Sequence, residues 1–97
     1  MNPKQVLVVD DEVEVTSFFS YFLKAKQCDV TVAHSGKAVR QLLAGDFPFH
    51  LALIDLKLPD ANGLELLSAI KARQPACEVI IMTGYSTIKS AVTAIQS

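Results

Sequence analysis

Three aspartates and one threonine are the residues whose types and positions suggest chemistry. Asp10 and Asp11 directly follow one short apolar run, Asp55 follows a second, and Thr83 follows a third. Carboxylates a few ångströms apart cannot all stay ionised without compensation, so such a cluster takes up a proton or binds a cation. Oxygen ligands with room for water favour Mg²⁺, and a carboxylate is a competent nucleophile toward phosphorus.

The apolar runs that precede these residues predict strands. Residues 6–9, 51–54 and 79–82 are short and continuously apolar, which is typical of strands buried on both faces. Residues 30–33 alternate in polarity and predict a strand near a sheet edge. The polar residues at the ends of the buried strands are therefore expected to meet in one crevice, if the strands are parallel.

Apolar side chains between the strands recur at helical spacing. The four predicted apolar faces are, in chain order, Val15, Phe18, Phe19, Phe22 and Leu23; Ala38, Val39, Leu42 and Leu43; Leu64, Leu67 and Ile70; and Ile88, Ala91, Val92 and Ile95. Ser35 is suited to cap the second helix and Gly45 to end it. We interpret the three phenylalanines of the first helix as core residues. The alternation predicts an α/β fold with a doubly wound parallel sheet.

Composition restricts the class of protein. The 97 residues are 51% hydrophobic and 20% charged, with a formal net charge of -1. A disordered chain would be more polar, and a charge near zero leaves no basic excess for gripping nucleic acid. Neither a membrane span nor a signal peptide is predicted, so we expect a soluble, cytoplasmic single domain. Cys28 and Cys77 are expected to stay unpaired within the chain.

Each candidate residue also has a structural interpretation. Taken alone, Asp10 and Asp11 are more often caps of the following helix, and Thr83 is more often a strand-end hydroxyl. Asp55 does not fit a capping role, because residues 56–59 separate it from the next helix. Because all four residues lie at the ends of predicted buried strands, together they favour a functional site.

Three segments carry a resemblance to a known family. They are Val-Val-Asp-Asp-Glu at 8–12, the stretch 53–63 with Pro four and Gly eight residues after its Asp, and Ile-Ile-Met-Thr-Gly-Tyr at 80–85. Together they resemble the receiver domains of bacterial two-component response regulators, over residues 6–97. The resemblance implies a flavodoxin-like receiver fold. The segment from Met82 onward is most similar to receivers of the nitrogen-regulatory type.

The resemblance also implies roles for individual residues. Asp55 corresponds to the phosphoacceptor, and Thr83 to the switch hydroxyl that follows the phosphoryl group. Asp10 and Asp11 correspond to the acidic pair for Mg²⁺, with Asp11 as the direct ligand. Asp55 and the backbone carbonyl of Lys57 correspond to further metal ligands.

Family members continue with a fifth strand, a Lys-Pro pair and a fifth helix. The resemblance therefore implies that residues 1–97 form a receiver domain that is incomplete at its C-terminus. Lys57 and Lys89 do not match the position of the family's phosphate-pairing lysine. Because every acidic position is present, we expect a fragment of a longer regulator rather than a degenerate receiver.

The expected function is that of a signalling switch. A sensor histidine kinase would phosphorylate Asp55, and the receiver would change conformation to control an output domain or partner protein that acts in transcription. This domain would not itself bind nucleic acid or membrane, and it would be able to dimerise. It would phosphorylate and dephosphorylate itself and would not be a turnover enzyme.

Two other classes stay open. One is a small Mg²⁺-dependent aspartyl phosphatase or phosphotransferase, which would need a substrate-recognition cap. The other is a flavodoxin-like nucleotide-binding module, which would need a phosphate-cradling loop after the first strand. Acidic residues 10–12 occupy that place, and without a metal they would repel a phosphate.

Overall fold

A computed structural model of the protein describes residues 3–82, which form four strands and three helices. Each of the four predicted strands is present and is one residue longer than predicted. The predicted fourth helix and Thr83 lie outside the described residues. The elements in chain order are β1 Gln5–Val9, α1 Val13–Ala25, β2 Asp29–Ala33, α2 Gly36–Leu43, β3 Leu51–Asp55, α3 Gly63–Arg73 and β4 Glu78–Met82.

The strands form one parallel sheet in the order β2-β1-β3-β4. The chain passes from β1 to β2 on one side and then returns to place β3 on the other side of β1. The two central strands are therefore the point where the strand order reverses, and Val9 of β1 pairs with Ile54 of β3 there. Ligands bind beyond the carboxyl ends of the strands at such a point.

Helices cover both faces of the sheet, because alternate side chains of each strand point to opposite faces. One face packs against α2 and α3, and the other packs against α1. The first face buries Leu7, Val9, Ala52 and Ile54 together with Val39, Leu43, Leu66 and Ile70. The second buries Val6, Val8 and Leu53, with Phe19 and Leu23 of α1 against them. The doubly wound α/β architecture is confirmed.

Two predicted core assignments in α1 are wrong. Phe18 and Phe22 are each 50% exposed, whereas Phe19 packs against the sheet. The rings of Phe18 and Phe22 stack at 6.5 Å between centroids, and the ammonium of Lys26 lies 5.8 Å from the centroid of the Phe22 ring. The spacing of apolar residues identifies the apolar side of α1. Only a narrow strip of that side contacts the sheet.

The inner face of α3 is also rotated from its predicted position. Leu64 is 57% exposed, whereas Ile70 is buried as predicted, together with Gly63 and Leu66, which were not assigned to the apolar face. At about 100° per residue, Leu64 lies roughly 120° around the helix from Ile70, while Leu66 lies only about 40° away. The pair four residues apart is therefore the one that faces the sheet.

The predicted helix signals behave as expected in α2. The Oγ of Ser35 accepts a hydrogen bond from the backbone N–H of Ala38 at 3.1 Å. The helix ends at Leu43, and the N–H of Gly45 donates to the carbonyl of Leu42 at 3.2 Å.

Both cysteines are free, as predicted. Cys28 directly precedes β2 and Cys77 directly precedes β4, so they lie at opposite edges of the sheet. Three inter-strand steps of about 4.8 Å separate those edges. None of the helices within residues 3–82 is long and apolar enough to cross a membrane.

Candidate functional site

Asp10, Asp11 and Asp55 come together where β1 and β3 end. A carboxylate oxygen of each lies within 4.8 Å of one from each of the other two. Asp10 and Asp55 are buried, and Asp11 is exposed. The sequence predicted that these three carboxylates converge, and the parallel pairing of β1 with β3 is the reason they do.

Only one of the two carboxylate oxygens of buried Asp10 has a hydrogen-bond partner among the described residues. Its Oδ1 accepts a hydrogen bond from the N–H of Glu12 at 2.8 Å, while its Oδ2 has no hydrogen-bond partner among residues 3–82. Its own N–H donates to the carbonyl of Ala33 at 3.1 Å, which joins it to β2. The N-cap of α1 is Glu12, so the alternative that Asp10 or Asp11 caps this helix is not what the structure has.

Burial raises the pKa of two of the three carboxyl groups. For Asp10 the pKa rises to about 6, because desolvation disfavours its charge more than the Glu12 N–H favours it. The nearby charges of Asp55, Asp11 and Glu12 add to the rise. Desolvation likewise raises the pKa of Asp55, with the N–H of Lys57 opposing and the charge of Asp11 contributing. The three carboxyl groups therefore lie close together in a crevice that is partly shielded from water, where the ionisation of all three is unfavourable.

A short loop holds Asp55 after β3. The N–H of Lys57 points to Asp55 Oδ1 at 3.4 Å, and the N–H of Leu56 donates to the carbonyl of Met82 at 2.8 Å. The loop then folds back on itself, with Lys57 paired to Asn62 in an antiparallel bridge. Residues 56–62 are thus tied both to β4 and across their own hairpin.

Gly63 closes this loop against the backbone of Asp55. Its N–H donates to the carbonyl of Leu56 at 2.7 Å, and it opens α3. A Cβ at this position would lie 2.6 Å from the carbonyl oxygen of Asp55 and 3.0 Å from the Cα of Leu56. The absence of a side chain is what lets α3 begin so near the aspartate. In the sequence, Gly63 is the glycine eight residues after Asp55 in the stretch 53–63, and that spacing alone does not indicate the close approach.

Asp60 is a residue that sequence analysis did not single out. Its carboxylate accepts hydrogen bonds from the N–H groups of Gly36 and Lys37, at 2.8 and 3.0 Å. These two N–H groups lower the pKa of Asp60. The partners lie 24 and 23 residues away in the sequence, so no local pattern could have identified the contact.

The three carboxylates fit a hard divalent cation. The donors are all oxygen atoms, one of them is buried without a partner, and exposed Asp11 leaves room for water. A cation would offset the desolvation cost that the buried charges carry. The carbonyl of Lys57 as a further ligand stays a prediction, as do the roles assigned to the aspartates, and Thr83 lies outside the described residues.

A family model described as the response regulator receiver domain matches residues 6–97. The chain belongs to the response regulator receiver family. This is the family that the sequence motifs resemble, and its members serve two-component signalling systems. The likeness to the nitrogen-regulatory type is also supported, since the relatives of this receiver include regulators of that type.

Among curated proteins, the receiver is 34% identical over 97 residues to the response regulator protein PilR of Pseudomonas aeruginosa. The match covers 100% of this chain and 22% of PilR. The chain thus spans about a fifth of the length of the first curated relatives that it matches.

Solved receiver structures share the fold. A response regulator from Burkholderia pseudomallei, crystallised with a phosphorylated aspartic acid, a calcium ion and citrate, superposes with a TM-score of 0.78 at 29% identity. That match covers 96% of this chain and 54% of the other. The solution structure of the beryllofluoride-activated NtrC4 receiver domain dimer gives a TM-score of 0.70 at 32% identity, covering 95% and 75%.

The raised pKa of Asp10 predicts how this receiver responds to pH without metal. Because the folded-state pKa of about 6 exceeds the ordinary 3.8, folding favours the protonated form. The stability this provides is complete below pH ~4 and is lost as the pH rises through ~6. Asp10→Asn is therefore expected to raise the free energy of unfolding by about 1–3 kcal/mol at neutral pH in EDTA, and by much less at acid pH.

Urea denaturation at the two pH values measures that difference. Asp46→Asn, at an exposed position between α2 and β3, is the control and should change little at either pH. Excess Mg²⁺ should stabilise the wild type more than the Asp10→Asn variant, since binding to the folded state stabilises it by mass action. An equal gain for Asp10→Asn at both pH values would contradict the burial argument.

Proposed function

We propose that residues 1–97 are a receiver domain that accepts a phosphoryl group on Asp55 from a sensor histidine kinase. The observation that carries the proposal is the position of Asp55. It is 6% exposed at the end of the central strand β3, beside Asp10 and Asp11, in a chain of the receiver family. The phosphorylated aspartic acid in the Burkholderia pseudomallei response regulator supports the same role for this residue.

The reaction is an in-line phosphoryl transfer. A carboxylate oxygen of Asp55 attacks the phosphorus of a phosphohistidine, a P–O bond forms, the P–N bond breaks, and the imidazole leaves. The N–H of Lys57 near Oδ1 favours the ionised, nucleophilic form of Asp55 against the desolvation that disfavours it. In this proposal Thr83 supplies the hydroxyl that follows the phosphoryl group in the conformational switch.

Asp10, Asp11 and Asp55 would hold Mg²⁺, with the backbone carbonyl of Lys57 as a further ligand. When bound, Mg²⁺ neutralises the negative charge of the phosphoryl oxygens. The support in this chain is the donor set itself, including the unpartnered Oδ2 of Asp10. Asp10 contributes a fixed charge, because Glu12 and Ala33 hold its side chain and backbone.

The proposed partners are a sensor histidine kinase and a downstream output domain or protein. The likeness to transcriptional regulators such as ZraR of Escherichia coli supports a transcriptional output. The dimeric NtrC4 receiver supports dimerisation as part of the switch. We propose a cytoplasmic location, with neither membrane nor nucleic-acid binding by this domain itself.

Acetyl phosphate as a small phosphodonor tests the function in the full-length protein. With Mg²⁺, intact-mass measurement should show one added phosphoryl group per chain, and peptide mapping should assign it to Asp55. A receiver modifies only itself, so hydrolysis of a range of small phosphoesters would instead favour the small aspartyl phosphatase or phosphotransferase. Mapping to a residue other than Asp55 would refute the assignment.

A further inference from the structure

Asp60 joins the loop that follows Asp55 to the start of α2. The Oδ1 of Asp60 accepts from the N–H of Gly36, and the Oδ2 accepts from the N–H of Lys37. These are the first two residues of α2. A carboxylate at a helix N-terminus is favoured both by the free N–H groups and by the helix dipole.

Gly36 also packs so closely against the loop that there is no space for a side chain between them. A Cβ on Gly36 would lie 2.5 Å from the Cβ of Ala61, the residue after Asp60, and 3.3 Å from Asp60 Oδ1. Gly36 is buried although it opens the helix. The tip of the loop is therefore held against α2 by two hydrogen bonds and by close packing at the same place.

The remaining contacts of the loop connect its tip to Asp55. The N–H of Leu58 donates to the carbonyl of Ala61 at 3.0 Å, and Lys57 pairs with Asn62 across the hairpin. Lys57 in turn directs its N–H toward Asp55 Oδ1. A displacement at Asp60 would thus pass along a short hydrogen-bonded segment to the N–H group that faces the Asp55 carboxylate.

We propose that Asp60 is a positioning residue for Asp55, which it holds in place by anchoring residues 56–62 to the N-terminus of α2. This inference rests on the proposed function of Asp55 as phosphoacceptor. Positioning errors of about 1 Å can slow a reaction by up to about 10²-fold, and a loop that keeps its strand-side contacts should move less. For Asp60→Ala we expect phosphorylation by acetyl phosphate to slow by about 5- to 20-fold.

Ser35→Ala is the matched control. Ser35 and Asp60 both accept hydrogen bonds from N–H groups in the first turn of α2, but Ser35 is the N-cap directly before that helix, whereas Asp60 reaches it from the loop. If loss of α2 stability were the cause, both variants would slow phosphorylation alike. We expect Ser35→Ala to stay within about twofold of wild type, with a loss of stability of the same order as that of Asp60→Ala. Asp60→Asn, which keeps one acceptor oxygen, should be intermediate.

A pair of substitutions tests the packing contact without removing any charge. Gly36→Ala should push the loop from α2 and slow phosphorylation as Asp60→Ala does. Adding Ala61→Gly removes the opposing Cβ and should restore the rate to within about twofold of Ala61→Gly alone. Failure of the double variant to recover would overturn the proposed route through this contact.

Amide hydrogen exchange and Mg²⁺ titration of the full-length protein separate this inference from the proposed function. Asp60→Ala should lower the protection of the Leu58 amide and weaken Mg²⁺ binding, whereas Ser35→Ala should do neither. These two readouts decide the inference even if the wild type takes up no phosphate, a result that would refute the proposed function. Equal effects of Asp60→Ala and Ser35→Ala, or none from Asp60→Ala, would overturn the positioning role.

Discussion

Asp55→Asn is expected to abolish phosphoryl uptake while the protein stays folded. The amide of Asn is not a nucleophile toward phosphorus, so the rate with acetyl phosphate should fall by more than about 100-fold. The fold should tolerate the change, because an amide oxygen can still face the N–H of Lys57 at the position of Oδ1. Burial raises the pKa of Asp55, so a neutral group there should keep or increase stability at neutral pH.

Intact-mass spectrometry and thermal unfolding of the same samples provide the two measurements. The control is again Asp46→Asn, which removes an exposed carboxylate and should leave phosphoryl uptake unchanged. If Asp55→Asn takes up phosphate as the wild type does, the phosphoacceptor is another residue. If it unfolds, the buried carboxylate has a structural role that its raised pKa does not suggest.

Gly63→Ala is expected to produce a large loss of stability. The added Cβ would meet the carbonyl oxygen of Asp55 and the Cα of Leu56, both of them backbone atoms that cannot rotate away. Overpacking of this kind costs typically about 1–3 kcal/mol. Because the strain falls on Asp55 itself, phosphorylation of the remaining folded protein should slow as well.

Gly45→Ala is the matched control for this substitution. A Cβ at Gly45 would meet only the carbonyl oxygen of Leu42, at an ordinary contact distance of 3.6 Å. Its effect on the free energy of unfolding should stay within about 0.5 kcal/mol. Urea denaturation of both variants gives the comparison. A similar loss of stability for the two would show that the close approach at Gly63 is relieved by a small backbone shift.

The sequence was sufficient to predict the four strands, the first three helices and the place where the three aspartates meet. Continuous apolar runs with β-branched residues predict buried strands, and helical spacing between them predicts the crossovers. Parallel strands bring their carboxyl ends to one edge, so Asp10, Asp11 and Asp55 had to converge wherever those runs paired. Apolar runs and helical spacing are properties of short segments, so they can be recognised from the order of residues alone. The likeness to receivers added the roles of the residues, which periodicity alone does not contain.

Tertiary contacts decided the rest. Periodicity placed Phe18 and Phe22 in the core, but only the angle at which α1 lies on the sheet determines which part of its apolar side is covered. The difference between buried Asp10 and exposed Asp11 likewise depends on how the chain turns after β1. Adjacent residues of the same type carry no local signal for that difference.

The contacts around Asp55 likewise depend on tertiary structure and could not be predicted from the sequence. Glycine and aspartate are both common in turns, so the residue types of Gly63 and Asp60 do not distinguish them from ordinary loop residues. Gly63 approaches the Asp55 backbone because of the way α3 begins against the end of β3, and Asp60 reaches the N-terminus of α2, 24 residues away along the chain. Local residue order specifies which strands and helices form. The distances that determine the pKa of a buried carboxyl group are set only when those elements pack, because burial and hydrogen bonding are properties of the assembled fold.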